Sequence, residues 1–140
     1  MITALDSNVI IGLWNPDDSL NPVARRALDT AFTTGSLVIC GAVFGELLAS
    51  PGRDEEFINQ FLNDADIKVN WSSGEAVWRN AGAAYRKYAA RRRRQNAAHP
   101  RRILTDFYIG AHALENGHDL LTLDTRIYRT AFPALNIIEV

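Results

Sequence analysis

The sequence predicts an α/β protein, a three-layer α/β/α sandwich around a mainly parallel central sheet. Two observations predict it. Short apolar, β-prone runs alternate with segments of helical period from one end of the chain to the other. Gly and Pro punctuate the junctions between them, at Gly35, at Pro51-Gly52 and at Gly117. The 140 residues, 47% of them hydrophobic, suit a single domain spanning residues 1–140 with one sizeable core.

The first strand is expected over residues 2–5, and Asp6-Ser7-Asn8 supplies cap residues for an apolar helix over residues 9–14. Asn21-Pro22 marks the next helix start, with Asn as N-cap and Pro in the first turn. Val23, Ala27, Leu28, Ala31 and Phe32 form its apolar stripe, and Gly35 ends it. A second strand follows at residues 37–40. Gly41 then turns the chain into a helix carrying Val43, Phe44, Leu47 and Leu48, closed by Pro51-Gly52. Phe57, Ile58, Phe61, Leu62 and Ala65 have helical period, whereas residues 67–71 alternate like a short strand.

Ser72 or Ser73 should cap a long helix with Val77, Ala81, Tyr85 and Tyr88 inward. That helix runs into an arginine tract and should loosen before Pro100, because proline disfavours helical geometry in the residue before it. Thr105 is the expected cap of a helix over residues 106–116, stopped by Gly117. Residues 120–122 form a further strand. A short helical turn over residues 125–129, Pro133 and a last strand over residues 136–140 complete the chain.

Composition removes several function classes. Asp6 and Asn8 interrupt the opening apolar run and no basic residue precedes it, so a secretory signal is not expected. No stretch approaches the roughly 20 apolar residues that a bilayer requires, and a soluble, cytoplasmic protein is the expectation. Cys40, the single cysteine, has no partner for a disulfide within the chain and reads as core. With His only at 99, 112 and 118, a Cys/His zinc site of the usual spacing is unavailable, and any metal must be held by oxygen. The net charge of −1 hides an uneven distribution. Between Glu75 and Asp106 there is no acid, while Arg79, Arg86, Lys87, Arg91, Arg92, Arg93, Arg94, Arg101 and Arg102 supply nine of the 15 basic residues.

Four acids stand out: Asp6, Glu46, Asp106 and Asp124. Taken singly, three have ordinary explanations, since Asp6 and Asp124 can cap the helices that follow them and Asp106 suits the first turn of one. Glu46 is different. It falls three residues after Val43 and beside Leu47, at the edge of an apolar helix face. Burying an unpaired carboxylate there costs several kcal/mol by order of magnitude, so it calls for a basic partner or a cation. In open parallel sheets, ligands bind beyond the carboxyl ends of the strands, where all four acids have their address. Clustered carboxylates raise one another's pKa unless a cation neutralises them, and hard oxygen donors select Mg²⁺ or Mn²⁺. Such a site supports phosphodiester hydrolysis, because the cation activates water and offsets charge on the phosphoryl and leaving oxygens.

Leu5-Asp6-Ser7-Asn8-Val9-Ile10, Phe44-Gly45-Glu46-Leu47, residues 104–113 around Asp106 and Leu121-Thr122-Leu123-Asp124-Thr125-Arg126 stand in this order over nearly the whole chain. In order and spacing they resemble a PIN-domain nuclease, and within that superfamily a VapC-type toxin. The resemblance implies that Asp6, Glu46, Asp106 and Asp124 form the acidic metal site. It further implies that Asn8 orients a carboxylate or water and that Thr122 hydrogen-bonds the attacking water or the substrate phosphate. It also implies RNA as the substrate, a VapB-like antitoxin as partner, and a homodimer. The long basic connection over residues 91–102 departs from many relatives.

The arginine tract is either a solvated helix end or an RNA-binding element made by Arg91, Arg92, Arg93, Arg94, Arg101 and Arg102, since guanidinium groups contact phosphate bidentately. It could equally meet an acidic stretch of the antitoxin. Tyr108 and Tyr128 are candidate stacking faces for bases, or core. Other folds fit less well. A haloacid-dehalogenase-like phosphatase needs a second acid where Asn8 stands, a receiver-type domain needs a late lysine where the last is Lys87, and a dinucleotide fingerprint is missing around Gly41 and Gly45. The alternative from another class is a non-catalytic PIN-like module that binds RNA or protein.

Overall fold

The opening apolar run forms the central strand β1 (Ile2–Leu5) in the computed structural model, which describes residues 1–95 and 102–139. After it come α1 (Ser7–Trp14), α2 (Asn21–Thr34), β2 (Ser36–Cys40), α3 (Gly41–Ala49), α4 (Glu55–Asp64) and β3 (Ile67–Asn70). The remainder is α5 (Glu75–Arg94), α6 (Leu104–Glu115), β4 (Asp119–Leu121), α7 (Thr125–Ala131) and β5 (Ile137–Ile138). The strands lie in the order β3-β2-β1-β4-β5 and every pairing is parallel. From β1 the chain moves outward through β2 to β3, then crosses back to lay β4 on the other side of β1. The order therefore reverses between β1 and β4, where an open α/β sheet has its binding crevice.

Helices on both faces explain the strand composition. Leu37, Val38, Ile39 and Cys40 are all buried in succession, as are Ala4 and Leu5, because a parallel sheet covered on both sides needs apolar residues rather than alternation. α6 is enclosed all round: Phe107, Tyr108, Ile109, Gly110, Ala111, His112 and Ala113 are buried in sequence. It packs against α3, α5, α7 and β4. Gly110 permits this. A Cβ there would sit 2.4 Å from the Phe132 ring and 3.1 Å from the Tyr128 ring. Gly117 ends the segment with φ +69, a left-handed conformation that favours glycine.

Several local expectations are corrected. Asn21 does not cap α2, whose N-cap is Leu20. Its buried amide instead donates to the Gly12 carbonyl at 3.0 Å and the Leu13 carbonyl at 2.9 Å, closing the end of α1. Neither Ser72 nor Ser73 caps α5, which starts from Gly74. Ser72 donates its hydroxyl to Asn70, and Ser73 accepts the Trp78 indole N–H. α6 begins at Leu104 rather than Asp106, with Ile103 as N-cap in place of Thr105. The Asp106 carboxylate accepts the Ile103 N–H at 3.3 Å, so the acid itself serves the helix start. Phe32, Leu48 and Phe57 were expected on buried faces and are exposed. Phe57 packs its ring edge-on to Trp14, under the Arg53 guanidinium. β3 stops at Asn70, and β5 is limited to two residues. The expected loosening before Pro100, Arg101 and Val140 lie outside the described residues.

Candidate active site

Asp6 is the first residue beyond β1, and its N–H donates to the Leu121 carbonyl at 3.0 Å, continuing the β1–β4 ladder to the point where the strand order reverses. Its side chain is 6% exposed. Oδ2 accepts the Thr122 hydroxyl and the Tyr128 hydroxyl, each at 2.9 Å, and a longer contact from the Asn8 amide at 3.4 Å. Thr122 is itself fully buried, and its oxygen accepts the Asn8 amide at 3.2 Å and the Asp124 N–H at 3.0 Å. Asn8 Oδ1 in turn accepts the Leu123 N–H at 3.1 Å. Asn8 and Thr122 thus tie the first turn of α1 to the chain leaving β4, with Asp6 between them.

Glu46 is half-buried on α3 and accepts the Ser7 hydroxyl at 2.9 Å. Burial pushes the Glu46 carboxyl up; the Ser7 hydrogen bond opposes this, and the charges of Asp6 and Asp106 add to it. Burial likewise pushes the Asp6 carboxyl up, against the hydrogen bonds from Thr122, Tyr128 and the Ser7 N–H, with repulsion from Asp106 in support. The Tyr128 hydroxyl is pushed up by burial, then by the negative charge and the hydrogen bond of Asp6. Asp6, Glu46 and Asp106 therefore share one electrostatic neighbourhood. Among the described residues, none of the three is in an ion pair.

Asp124 lies elsewhere in the electrostatics. Its carboxylate meets the Arg102 guanidinium at 2.5 Å, both side chains about one-third exposed (33% and 37%). The pair opens onto a cleft of about 600 Å³ whose lining includes Tyr88, Arg91, Arg92, Arg102, Asp124 and Arg126. Arg93 and Arg94 are exposed at the end of α5 and do not line it. Among the described residues, no three Asp, Glu, His or Cys side chains stand close enough to form a ready-made metal cage. Each carboxylate is turned instead to an internal donor: Asp6 to hydroxyls, Glu46 to Ser7, Asp106 to the Ile103 N–H, Asp124 to Arg102.

Sequence reasoning did not assign Ser7 and Arg126 to the site, and it offered Tyr128 only as a stacking face or core, not as a hydrogen-bond donor to Asp6. Ser7 carried a signal, since it follows Asp6 directly and opens α1. Tyr128 carried little, because its partner is 122 positions away. Tyr108 and Tyr128 are 6% and 1% exposed, so neither offers a ring face to a base.

The PIN domain family model matches residues 3–133. No curated protein matches the chain. Among solved structures, a chain of VapBC-1 from nontypeable Haemophilus influenzae is similar, at 20% identity over 99% of this chain and 98% of that one, with a TM-score of 0.67. FitAcB from Neisseria gonorrhoeae matches at 20% identity over 99% of this chain and 97% of that one, with a TM-score of 0.64. VapBC2 from Rickettsia felis, bound to a DNA fragment from its promoter, matches at 16% identity over 99% and 98%, also with a TM-score of 0.64. Identities this low establish shared fold. With the family model spanning almost the whole sequence and the strand order placing Asp6 at the crevice of that fold, the chain belongs to the PIN domain family.

Proposed function

We propose that the chain is a Mg²⁺- or Mn²⁺-dependent endoribonuclease, the toxin of a VapBC-type pair, acting as a homodimer and held in check by a VapB-like antitoxin. The observation that carries this reading is the trio Asp6, Glu46 and Asp106. These carboxylates repel one another, two of them are held above their ordinary proton affinity first of all by burial, and no basic side chain is in an ion pair with them among the described residues. Such a trio is stabilised by a proton or by a cation, and its all-oxygen donors fit a hard divalent ion. Asp6, Glu46, Asp106 and Asp124 would hold it. When bound, the cation would lower the pKa of water and offset charge on the phosphoryl and leaving oxygens.

The chain's own groups do the positioning. Thr122 and Tyr128 fix the Asp6 carboxylate, Ser7 fixes Glu46, and Asn8 braces Thr122. Arg91, Arg92 and Arg102 border Asp124 and would receive substrate phosphates, with the exposed Arg93 and Arg94 adding basic surface at the end of α5; Arg101 is proposed for the same role from the sequence alone. PIN membership and the motif resemblance support RNA as substrate. The VapBC and FitAcB names of the structural neighbours support an antitoxin partner.

The test is incubation of purified, antitoxin-free protein with single-stranded and structured RNA, with and without Mg²⁺ or Mn²⁺, beside Asp6→Asn. Cleavage should require the cation and fall at least about 100-fold in the variant. Metal-independent cleavage, or equal activity in Asp6→Asn, would refute the mechanism. Binding without any cleavage would favour a non-catalytic RNA- or protein-binding module.

A further inference from the structure

The solvent face of α5 carries an organised surface away from the Asp124 cleft. Trp78, Gly82 and Arg86 recur every four residues along it, and Arg79, Ala83 and Lys87 form a parallel row. Gly82 and Ala83 lack bulk, so a shallow depression of about 690 Å³ opens between an indole at one end and cationic side chains at the other. No acid lines it among the described residues. Arg79 does pair with Glu75 at 2.9 Å, but both are about three-quarters exposed (75% and 79%), a contact that water screens and a phosphate can replace.

The indole is held in place. Trp78 is 51% exposed, yet its N–H donates to the Ser73 hydroxyl at 3.0 Å and its ring lies 4.5 Å from the Tyr108 ring. Tyr108 is buried on α6, two residues beyond Asp106. Fixing a half-exposed ring costs little further entropy when a flat partner binds, which suits stacking by an unpaired base. The surrounding cations suit the phosphates on either side of that base.

We infer that this face of α5 is a track for single-stranded RNA, with one base stacked on Trp78 and the backbone following Arg79, Arg86 and Lys87 toward the helix that bears Asp106. The inference rests on the nuclease reading and names the form of its substrate, an unpaired strand. A second copy fits the surface less well, because two-fold pairing about Gly82 and Ala83 would set Arg79 of one copy against Arg86 of the other. An acidic protein segment would satisfy the charges but has no need of the fixed ring.

The experiment is binding of a short fluorescent oligouridylate, followed by anisotropy in EDTA so that no cleavage intervenes, across a range of salt. Trp78→Ala should weaken binding about 10-fold while Trp78→Phe retains most of it. Replacing Arg79, Arg86 and Lys87 together by Ala should lower the salt slope by about 2, at about 0.7 per phosphate contact. A duplex of equal charge should respond to the triple replacement but not to Trp78→Ala. Thermal melts of each variant separate binding loss from misfolding, and the Arg/Lys replacements, being on exposed positions, keep the test open if Trp78→Ala does not fold. Unchanged affinity in Trp78→Ala and an unchanged slope in the triple variant would overturn the inference, even where the wild type cleaves RNA. Conversely, loss of binding in these variants with no cleavage by wild type in either Mg²⁺ or Mn²⁺ would sustain the track and refute the nuclease. Tighter binding of an oligoglutamate peptide than of RNA to the same side chains would overturn it in favour of an acidic partner.

Discussion

Tyr128 and Thr122 direct their hydroxyl hydrogens at one oxygen of Asp6, and both are buried, so neither bond has water as a ready substitute. If Asp6 holds a cation as proposed, Tyr128→Phe and Thr122→Val should each lower cleavage about 10- to 100-fold, the loss expected when a group orienting a ligand is removed, with the cation concentration for half-maximal activity shifted upward. Asp6 also makes a statement about stability. Its folded-state proton affinity is raised, so the folded chain binds more protons than the unfolded one, and stability falls as pH rises from the ordinary carboxylate range through the raised value. Asp6→Asn removes that cost while keeping an acceptor for the hydroxyls. In metal-free buffer its urea midpoint should exceed that of wild type at neutral pH, and the difference should shrink on acidification. Arg102 has a separate signature. Its removal frees Asp124, so Arg102→Ala should lower the cation requirement and raise KM for RNA, a split that a purely structural contact would not produce.

At the scale of elements, α6 is the most constrained helix, buried on every side and carrying Asp106 at its start. Gly110→Ala would drive a methyl into the Phe132 ring, which is 4% exposed and has little room to retreat. Overpacking of this kind costs about 1–3 kcal/mol, and because the Tyr128 ring is the next neighbour, activity should fall with thermal stability. His112, on the same helix and 1% exposed, has no hydrogen-bond partner for Nε2 among the described residues. Burial and the adjacent His118 push its proton affinity down. The unfolded chain then binds more protons below the usual histidine range, so stability is lost as pH falls through about 6.5. Thermal melts should show His112→Gln losing less than wild type on going from neutral to mildly acid buffer. The elements themselves were largely legible: apolar runs gave β1, β2 and β4, and period gave α2 and α4. Caps were not. Asn21, Ser73 and Thr105 are good capping residues, but each helix start was decided by what the neighbouring segment required, Gly12 and Leu13 carbonyls in one case and the Trp78 indole in another.

For the whole molecule, the sheet order explains which parts of the site the sequence could reveal. Strand-end placement of Asp6 follows from local pattern alone, and so does the edge position of Glu46. The links to Thr122, Tyr128 and Arg102 join segments brought together only by the crossover from β3 to β4, which no local signal encodes. A cation shared among Asp6, Glu46 and Asp106 should act on the entire fold. Added Mn²⁺ at about 100 times its dissociation constant should stabilise the wild type by about 2.7 kcal/mol, a rise of several degrees in Tm that Asp6→Asn should largely abolish. The same topology bears on synthesis. Chains emerge from the ribosome N-terminus first, and β1 waits for β4 to complete its second edge while Asp6 waits for Thr122 and Tyr128. A nascent chain that has exposed Asp6 and Glu46 still lacks the Thr122 and Tyr128 hydroxyls that orient Asp6. The catalytic arrangement proposed for this protein is thus completed only after β4 and α7 have emerged, which would spare the ribosome making it from a product able to cut RNA.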